Sequence, residues 1–310
     1  KTNQCFSVDD PATEKSIVEV SDIDEQGVNS AITAAQGAFV KLKTTNATER
    51  SETLMRWYEL VIKHKQTLAE LMTKEQGKPL KESLGEIDYG AGFIKWFAEE
   101  AKRSYGDVIP PTDNNHRLTS FKQPVGVVAG ITPWNFPVAM VTRKVAPAYA
   151  AGCSFILKPS EHTPLCAIAL AYLADQAGFV KGAFNVLVSQ DAKTVGKMLT
   201  DSHIVRKFTF TGSTGVGSQL LKQCADTVKR TSMELGGNAP FIIFDNADLD
   251  DAIDGLMAAK FRNSGQACVA ANRIFIQRSI LDEVLSKITP KVASLKVANG
   301  FEEDVDIGPL

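Results

Sequence analysis

Long apolar runs, an excess of positive charge and paired cysteines are all missing from the sequence. The longest strongly apolar segments, such as residues 125–131, are far shorter than the roughly 18 residues that cross a bilayer. The first residues also lack the pattern of a signal peptide. We therefore expect no membrane span and no association with a membrane.

Basic residues give the chain no surplus of positive charge. The 310 residues include 34 Lys plus Arg and 36 Asp plus Glu, so the formal net charge is −2. Such a chain has little attraction for phosphate backbones, and we expect no nucleic-acid partner. With 44% hydrophobic residues the composition is that of an ordinary globular enzyme or binding protein, and the length suggests two domains or one large domain with an attachment.

Cysteine is scarce and unpaired in sequence. The five residues form no C-x-x-C pair, and no histidine lies at zinc-ligand spacing. A disulfide framework and a metal site are therefore not expected, and a reducing, cytoplasmic setting fits best. The open question is whether one of them is a nucleophile; they are Cys5, Cys153, Cys166, Cys224 and Cys268.

The first third of the chain is predicted to be mostly helix and surface. Asn46 with Glu49 three residues later is typical of a capping box, and apolar residues follow at helical spacing until Gly77. A second helical segment is predicted over residues 82–104. Residues 117–122 alternate weakly, which predicts an extended strand outside the core.

From residue 125 onward, short apolar runs alternate with helical patterns. The predicted strands are 125–131, 154–157, 184–188 and 205–210, and the predicted helices are 138–151, 163–178, 192–200 and 214–225. This alternation indicates an α/β fold with a parallel sheet that is covered on both faces. Ligands of such sheets bind at the carboxyl ends of the strands, so the chemistry is expected in residues 132–137, 158–161 and 211–217.

A further αβ stretch follows from residue 240. It consists of a strand at 241–244, a helix at 249–263, a glycine-containing turn at 264–267 and a strand at 273–277. The pattern continues through residues 306–310 without a stop signal, so we expect a domain that the chain does not complete.

The glycines of Thr211-Gly212-Ser213-Thr214-Gly215-Val216-Gly217 lie between a predicted strand and a predicted helix. Free N–H groups at such a helix start can bind a phosphate. The order is G-x-x-G-x-G rather than the dinucleotide fingerprint G-x-G-x-x-G, and no acidic residue follows at the usual place. Phosphate binding and a plain tight turn are equally compatible with this segment.

Five further residues each allow a chemical and a structural interpretation. Lys158 and Glu161 could bind ribose hydroxyls or form a solvated charged turn. Cys268, in a helix-to-strand turn, could be an exposed nucleophile or an inert buried residue. Glu234 could be a catalytic base, a helix cap or part of a buried pair. Asn135, in a loop stiffened by two prolines, could supply an oxyanion hole or cap a packed turn.

Five motifs in register resemble the aldehyde dehydrogenase superfamily. They are Pro133-Trp134-Asn135-Phe136-Pro137, Lys158-Pro159-Ser160-Glu161, Phe210-Thr211-Gly212-Ser213, Glu234-Leu235-Gly236-Gly237-Asn238 and Gly265-Gln266-Ala267-Cys268. The resemblance covers essentially the whole chain, and residues 85–110 and 261–273 are most similar to succinate-semialdehyde dehydrogenases.

The resemblance implies a role for each motif. Cys268 would be the nucleophile, Asn135 with the Cys268 N–H the oxyanion hole, and Glu234 the base. Lys158 and Glu161 would bind the adenosine ribose of NAD, with NADP as the alternative cofactor. Ser213 and Trp134 would contact the pyrophosphate, and the remaining cofactor residues would be Ile131, Thr132, Pro133, Ser160, Gly212, Gly217 and Leu235.

Two arginines indicate the class of substrate. Arg262 lies six residues before Cys268, and Arg143 lies eight after Asn135. A guanidinium pair suits an aldehyde that carries a carboxylate, and matching arginines occur in succinate-semialdehyde dehydrogenases. The alternative is that both arginines form salt bridges between elements. Succinate semialdehyde is the expected substrate, while a broad aliphatic aldehyde dehydrogenase and a non-catalytic truncated chain are the competing hypotheses.

The resemblance also predicts the domain organisation. Residues 1–105 and 125–236 would form the cofactor-binding domain, residues 106–124 an oligomerisation strand segment, and residues 237–310 an incomplete catalytic domain. A homodimer or homotetramer is expected. Two features depart from the family: the later Glu-Ile-Phe-Gly-Pro-type motif is missing, and Ala270 replaces the second cysteine with which some semialdehyde enzymes form a regulatory disulfide.

Overall fold

The computed structural model describes residues 4–309; residues 1–3 and 310, which belong to the first and last predicted domains, lie outside the described residues. The strands are β1 (Cys5–Asp10), β2 (Lys15–Ser21), β3 (Val108–Ile109), β4 (Leu118–Thr119), β5 (Val127–Ile131), β6 (Ser154–Lys158), β7 (Phe184–Val186), β8 (Val205–Thr211), β9 (Arg230–Glu234), β10 (Ala239–Ile243) and β11 (Ala271–Ile276). The α-helices are α1 (Glu25–Leu42), α2 (Ala47–Lys63), α3 (Lys65–Gln76), α4 (Leu80–Glu100), α5 (Ala139–Ala150), α6 (Leu165–Gln176), α7 (Ala192–Asp201), α8 (Thr214–Ala225), α9 (Leu249–Phe261) and α10 (Leu281–Ala293).

The predicted parallel sheet is confirmed. Its five strands lie in the order β7-β6-β5-β8-β9, and every neighbouring pair is parallel. In the central strand β5, Val127 pairs with Ser154 on one side and with Val205 on the other. The chain adds β6 and β7 on one side of β5 and then β8 and β9 on the other. Ligand sites of such sheets lie at this change of direction, beyond the carboxyl ends of the strands.

Helices cover both faces of this sheet, as predicted. On one face, α2, α4, α5 and α6 surround a core that includes Trp57, Ile94 and Leu170, and the Trp57 indole N–H donates to the Leu170 carbonyl at 3.1 Å. On the other face, α1, α7 and α8 bury residues such as Val28 and Leu199. Burial on both faces explains why the strands are nearly continuous apolar runs.

The helices of the first hundred residues follow their sequence signals closely. Asn46 and Glu49 form the predicted capping box at the start of α2. The predicted single run is broken into α2 and α3 at His64, which lies between them with non-helical backbone angles. Helix α3 ends at Gln76, and the next residue, Gly77, has a φ of +92° that suits a residue without Cβ. The segment predicted at 82–104 is a helix from Leu80 to Glu100 followed by a short 3₁₀ turn.

The N-terminal hairpin and α1 are not part of the sequence prediction. Strands β1 and β2 pair antiparallel, and β1 alternates between buried and more exposed residues. Only Phe6 and Val8 in β1 are buried, and two residues are too short a pattern to predict a strand from sequence. The extended segment predicted at 117–122 is confirmed as the two-residue strand β4, which pairs antiparallel with β3.

Several predicted boundaries are wrong for identifiable reasons. Strand β5 begins at Val127 rather than 125, since Gly126 has a φ of +123° that a strand cannot accommodate. Strand β7 ends at Val186 rather than 188, and the Val188 carbonyl instead accepts from the Ile23 N–H. Helix α9 ends at Phe261 rather than 263, because Asn263 and Ser264 adopt φ angles of 53° and 57°.

The last part of the chain forms a small αβ unit. Strands β10 and β11 are parallel neighbours, and β11 begins at Ala271, two residues before the predicted start. Helices α9 and α10 pack on this pair around Ile243, Leu256 and Val284. Along residues 4–309, no helix combines the length and apolar character that crossing a bilayer requires.

Candidate active site

The three segments expected to carry chemistry meet at the carboxyl edge of the parallel sheet. After β5, the Thr132 N–H donates to the Lys158 carbonyl at 3.1 Å, which joins the ends of β5 and β6. On the other side, the Gly212 N–H donates to the Glu234 carbonyl at 3.0 Å, which joins the ends of β8 and β9. The sequence motifs therefore share one edge, as predicted.

Asn135 connects this edge to the turn that carries Cys268. Its side-chain Nδ2 donates to the Gln266 carbonyl at 2.7 Å, and Gln266 is two residues before Cys268. The Asn135 carbonyl accepts from Lys78 Nζ at 2.7 Å and from Asn263 Nδ2 at 3.1 Å. One amide hydrogen of Asn135 is thus used in this contact, and the other is available to a second acceptor.

The turn before Cys268 has an unusual backbone. Asn263, Ser264 and Gly265 have φ angles of 53°, 57° and 75°, and the Gln266 N–H closes the turn on the Asn263 carbonyl at 2.9 Å. Three successive left-handed residues reverse the chain between α9 and β11. Such strain in a short loop is often found at functional sites.

Cys268 itself is exposed, so the interpretation as an inert buried residue is wrong. Among the other cysteines, Cys153, Cys166 and Cys224 are buried, and burial raises the pKa of each of these three thiols. Cys5 is exposed but lies in β1 of the N-terminal hairpin. Cys268 is therefore the exposed thiol at the sheet edge where the motifs converge.

Glu234 is the last residue of β9 and has an exposed side chain. It does not begin a helix and is not buried, so the cap and buried-pair interpretations are wrong. Three residues later, a Cβ on Gly237 would lie 2.5 Å from the Cys268 carbonyl oxygen. The chain after Glu234 therefore passes directly against the Cys268 backbone, and only glycine fits there.

Glu234 lines a cavity of about 410 Å³ together with Arg143, Lys144 and Lys207. The Lys144 ammonium is buried and donates to Thr209 Oγ1 at 2.9 Å. Burial lowers the pKa of Lys144 to about 8, the charge of Arg143 acts in the same direction, and Glu234 opposes both. Lys144 is not among the predicted site residues, although a lysine inside the apolar pattern of α5 is a signal for such a site.

Lys158 and Glu161 form an ion pair of 2.7 Å at the end of β6. Only 2% of the Lys158 side chain is exposed, compared with 32% for Glu161, so a fully solvated turn is ruled out. Burial alone would raise the pKa of Glu161, but the hydrogen bond and charge of Lys158 hold it below its ordinary value. Ser160 is buried beside them, and its Oγ accepts from the His162 N–H at 3.3 Å.

The glycine-rich segment begins α8 with a side-chain cap. Ser213 Oγ accepts from the Val216 N–H at 3.4 Å. A Cβ on Gly212 would lie 2.4 Å from the Phe210 ring, and one on Gly217 would lie 2.4 Å from Leu235. Both glycines therefore lie in close contact with neighbouring side chains of the β8–α8 connection.

The predicted cofactor residues surround this edge. They are Ile131, Thr132, Pro133 and Trp134 at and after the end of β5, Lys158, Ser160 and Glu161 at and after the end of β6, and Gly212, Ser213, Gly217 and Leu235 around β8, α8 and β9. Trp134 is 39% exposed and lines a second cavity of about 480 Å³ together with Glu161 and Gln266. The Thr211 hydroxyl is buried and, among the described residues, has no hydrogen-bond partner. An unpartnered hydroxyl beside an exposed, capped helix start fits a bound phosphate-containing group.

The two predicted substrate arginines rest on neighbouring aromatic rings. The Arg143 guanidinium lies 5.3 Å from the centre of the Phe93 ring, and that of Arg262 lies 5.9 Å from Tyr89. The Tyr89 and Phe93 rings meet edge-to-face at 4.8 Å. Within residues 4–309 neither guanidinium forms a salt bridge. The alternative that both arginines form salt bridges between elements is therefore wrong.

Comparison with known proteins identifies the family. Residues 1–310 match the aldehyde dehydrogenase family. The chain belongs to this family. It is 54% identical to the mitochondrial succinate-semialdehyde dehydrogenase of Oryza sativa over 98% of the chain and 58% of the relative. It is 50% identical to the NADP⁺ succinate-semialdehyde dehydrogenase GabD of Escherichia coli over 99% of the chain and 64% of the relative.

Another relative has a different named substrate. The 3-sulfolactaldehyde dehydrogenase of Pseudomonas putida is 50% identical over 100% of the chain and 63% of the relative. The solved structure of succinate-semialdehyde dehydrogenase from Burkholderia pseudomallei superposes with a TM-score of 0.98 at 49% identity, over 99% of the chain and 64% of that structure. The chain thus spans 58 to 64% of the length of these relatives.

Proposed function

We propose that this protein oxidises an aldehyde that carries a carboxylate, with succinate semialdehyde as its substrate, and transfers the hydride to a nicotinamide cofactor. The observation that supports the proposal is the hydrogen bond from Asn135 Nδ2 to the carbonyl of Gln266, two residues before the exposed Cys268. Arg262 directly precedes the same turn, and Arg143 lines the cavity that contains Glu234, so both are assigned to the substrate carboxylate.

The reaction proposed for these residues begins at Cys268. Its thiolate attacks the aldehyde carbon, and the negative charge that develops on the oxygen is stabilised by the Asn135 amide and the Cys268 N–H. Loss of hydride from the same carbon leaves a thioester on Cys268. Glu234 then takes a proton from water as the water attacks the thioester carbon, which releases the acid and frees the thiol.

When bound, the nicotinamide cofactor supplies the hydride acceptor. We assign its adenosine ribose to Lys158, Ser160 and Glu161, its pyrophosphate to Ser213 and Trp134, and the walls of the cleft to Ile131, Thr132, Pro133, Gly212, Gly217 and Leu235. The Glu161 carboxylate disfavours a 2′-phosphate on that ribose, so NAD is the proposed cofactor. The name of the Escherichia coli relative specifies NADP, which makes the choice of cofactor a property to be measured.

The assembly and domain organisation are part of the same proposal. We assign residues 1–105 and 125–236 to cofactor binding, residues 106–124 to oligomerisation and residues 237–310 to the catalytic domain. In the oligomerisation segment, Val108 is 87% exposed and Phe121 is 80% exposed, which supports contact with a second copy of the chain in a homodimer or homotetramer. The free cysteines support a reducing compartment, either the cytoplasm or, as for the Oryza sativa relative, the mitochondrion.

A second candidate function is the oxidation of uncharged aliphatic aldehydes. The rings of Tyr89, Phe93 and Phe136 near the Cys268 turn favour it, since they offer apolar surface to an alkyl chain. A non-catalytic role is disfavoured because Cys268, Glu234 and Asn135 are all present.

The deciding experiment compares substrates in a form of the protein with the full length of the relatives, called the full-length form below. We expect kcat/KM for succinate semialdehyde to exceed that for butanal, a four-carbon aldehyde without the carboxylate, by about a hundredfold. Equal values would favour the aliphatic function. Activity with neither aldehyde, despite binding of NAD, would favour a non-catalytic role.

A further inference from the structure

A buried ion pair lies behind the Asn135 loop. Lys78 Nζ and Glu86 Oε2 are 2.6 Å apart, and each side chain is only 2% exposed. Lys78 follows Gly77 in the turn between α3 and α4, and Glu86 lies on α4. Burying two charges costs several kcal/mol unless both are well hydrogen-bonded, so the other partners of this pair indicate what it does.

The second partner of Lys78 is the backbone of Asn135. Lys78 Nζ donates to the Asn135 carbonyl at 2.7 Å and lies 4.4 Å from the centre of the Phe136 ring. Lys78 is itself fixed, because its N–H donates to Gln76 Oε1 at 2.9 Å and Gly77 makes a left-handed turn before it. The ammonium group itself is held between the Glu86 carboxylate and the Asn135 carbonyl.

The second carboxylate oxygen of Glu86 binds the start of the next helix. Glu86 Oε1 accepts from the N–H groups of Val138 at 2.9 Å and Ala139 at 3.1 Å. Helix α5 has no cap from its own N-cap side chain, so Glu86 takes that role from another element. A carboxylate at a helix N-terminus is also favoured by the helix dipole.

The Lys78–Glu86 ion pair therefore binds the Asn135 loop at two points. Lys78 binds it at Asn135 and Glu86 binds it at Val138, while Pro137 stiffens the segment between them. The Asn135 side chain leaves the backbone at the first of these points and donates to Gln266. A displacement of the Asn135 backbone away from Lys78 would also move the Cα atom from which the amide side chain extends toward Gln266.

We propose that the Lys78–Glu86 pair positions the oxyanion hole, by fixing the Asn135 backbone so that the side-chain amide stays beside Cys268. Both side chains are too deeply buried to touch substrate, so Lys78 and Glu86 are positioning residues that act through Asn135. The inference rests on the function proposed above. The simpler alternative is that the pair only stabilises the packing of α4 on α5.

A double-mutant cycle separates the two explanations. We would measure kcat, KM for succinate semialdehyde and Kd for NAD in the full-length form and in Lys78→Met, Asn135→Ala and the double variant. Removing an oxyanion donor lowers kcat by roughly a hundredfold or more, and we expect Lys78→Met to lower it by about tenfold to a hundredfold. In Lys78→Met, KM and Kd should change by less than about threefold. The double variant should have a kcat less than about twofold below that of Asn135→Ala alone.

Two further variants control for stability. Lys78→Met leaves the Glu86 carboxylate buried without its partner, so we would also prepare Lys78→Met/Glu86→Gln, which removes both charges. The same loss of kcat is expected in this variant, with a smaller loss of melting temperature. Lys65→Met is the matched control, because it removes a lysine–carboxylate pair to Asp88 on the outer side of α4, and it should keep wild-type kcat.

The outcomes distinguish this inference from the function on which it rests. If Lys78→Met lowered kcat by the same factor with and without the Asn135→Ala substitution, the positioning role would be overturned and the proposed function would remain intact. Wild-type kcat in Asn135→Ala alone would remove the oxyanion role of Asn135, and the proposed mechanism and the inference would then both fail. Wild-type kcat in the charge-free double variant would overturn the inference alone.

Discussion

The guanidinium group of Arg262 lies 5.5 Å from the centre of the Phe136 ring, and Phe136 directly follows Asn135 in the chain. The arginine proposed to bind the substrate carboxylate therefore rests on the same loop as the amide proposed to bind the reacting oxygen. Stacking on an aromatic face orients a guanidinium without neutralising it. In the proposed mechanism, the groups that bind the two ends of a short substrate therefore both involve this loop, one as part of it and one in contact with it.

Substitution of Arg262 by Ala is expected to affect charged substrates selectively. The substrate carboxylate would lose a charge-assisted partner, so kcat/KM for succinate semialdehyde should fall by a factor equivalent to about 2 to 5 kcal/mol. The value for butanal should change much less, because butanal has no group for the guanidinium to bind. Arg103→Ala, at an exposed position after α4, is the control and should leave both values unchanged. Equal losses on both substrates would mean that Arg262 supports the Cys268 turn and does not select the substrate.

The Cys268→Ala variant should bind NAD with nearly normal Kd but lose turnover. Without the thiol no covalent bond to the aldehyde can form, and kcat should drop below about a thousandth of the wild-type value. Cys5→Ala is a matched control because Cys5 is also an exposed cysteine. The measurement is steady-state NADH production by both variants. Near-normal turnover by Cys268→Ala would show that the Cys268 thiol is not the nucleophile.

Glu234→Gln should separate the two halves of the reaction. Glutamine cannot accept a proton from water, so hydride transfer should proceed while hydrolysis of the thioester stalls. Rapid mixing of enzyme, NAD and succinate semialdehyde should give a burst of about one NADH per active site, followed by a rate at least about a hundredfold below wild type. A normal steady-state rate would show that another group activates the water.

Cofactor preference tests the assignment of Glu161. Its carboxylate would repel a 2′-phosphate, so kcat/KM for NAD should exceed that for NADP. Lys158 and Ser160 oppose this effect, because both can donate hydrogen bonds to a phosphate. A tenfold preference for NADP, equivalent to about 1.4 kcal/mol, would show that these donors outweigh the carboxylate.

Glu75 should make stability depend on pH. Burial raises the pKa of this carboxyl from 4.5 to about 7 in the folded protein, hydrogen bonds from Cys166 and Leu165 lower it, and the charge of Glu86 raises it further. Between about pH 4.5 and 7 the unfolded chain releases this proton while the folded protein keeps it. The contribution of Glu75 to the free energy of unfolding is therefore fully present below pH 4.5 and is lost as the pH rises through 7. A shift of this size corresponds to about 3 kcal/mol.

Glu75→Gln should therefore raise the free energy of unfolding at pH 8 relative to wild type, with little difference near pH 4.5. Urea unfolding at both pH values measures this. Glu70→Gln, at an exposed position on the same helix, provides the control and should show no such dependence. A difference between Glu75→Gln and wild type that is the same at both pH values would mean that Glu75 does not titrate in this range.

The sheet was predictable because its signal is local, whereas much of the site was not. Strands β5 and β6 are buried on both faces and therefore appear in sequence as apolar runs bounded by turn residues. The contact between Asn135 and Gln266 joins residues 131 positions apart, and that between Lys78 and Asn135 spans 57 positions. Such pairs leave no periodic pattern. The motifs located Asn135 and Cys268, but only the fold could show that Lys78 and Glu86 lie behind them.

The strand order has a consequence for the synthesis of the protein on the ribosome. Strand β5 pairs with β6, which emerges about 25 residues later, but its other edge pairs with β8. At about 5 to 20 residues per second, the ribosome needs several seconds after β5 to deliver residues 205–211. During that interval β5 presents an open, apolar strand edge, the kind of surface at which nascent chains aggregate and molecular chaperones bind. We therefore expect the yield of native protein to be most sensitive to translation speed and chaperone supply between residues 131 and 205.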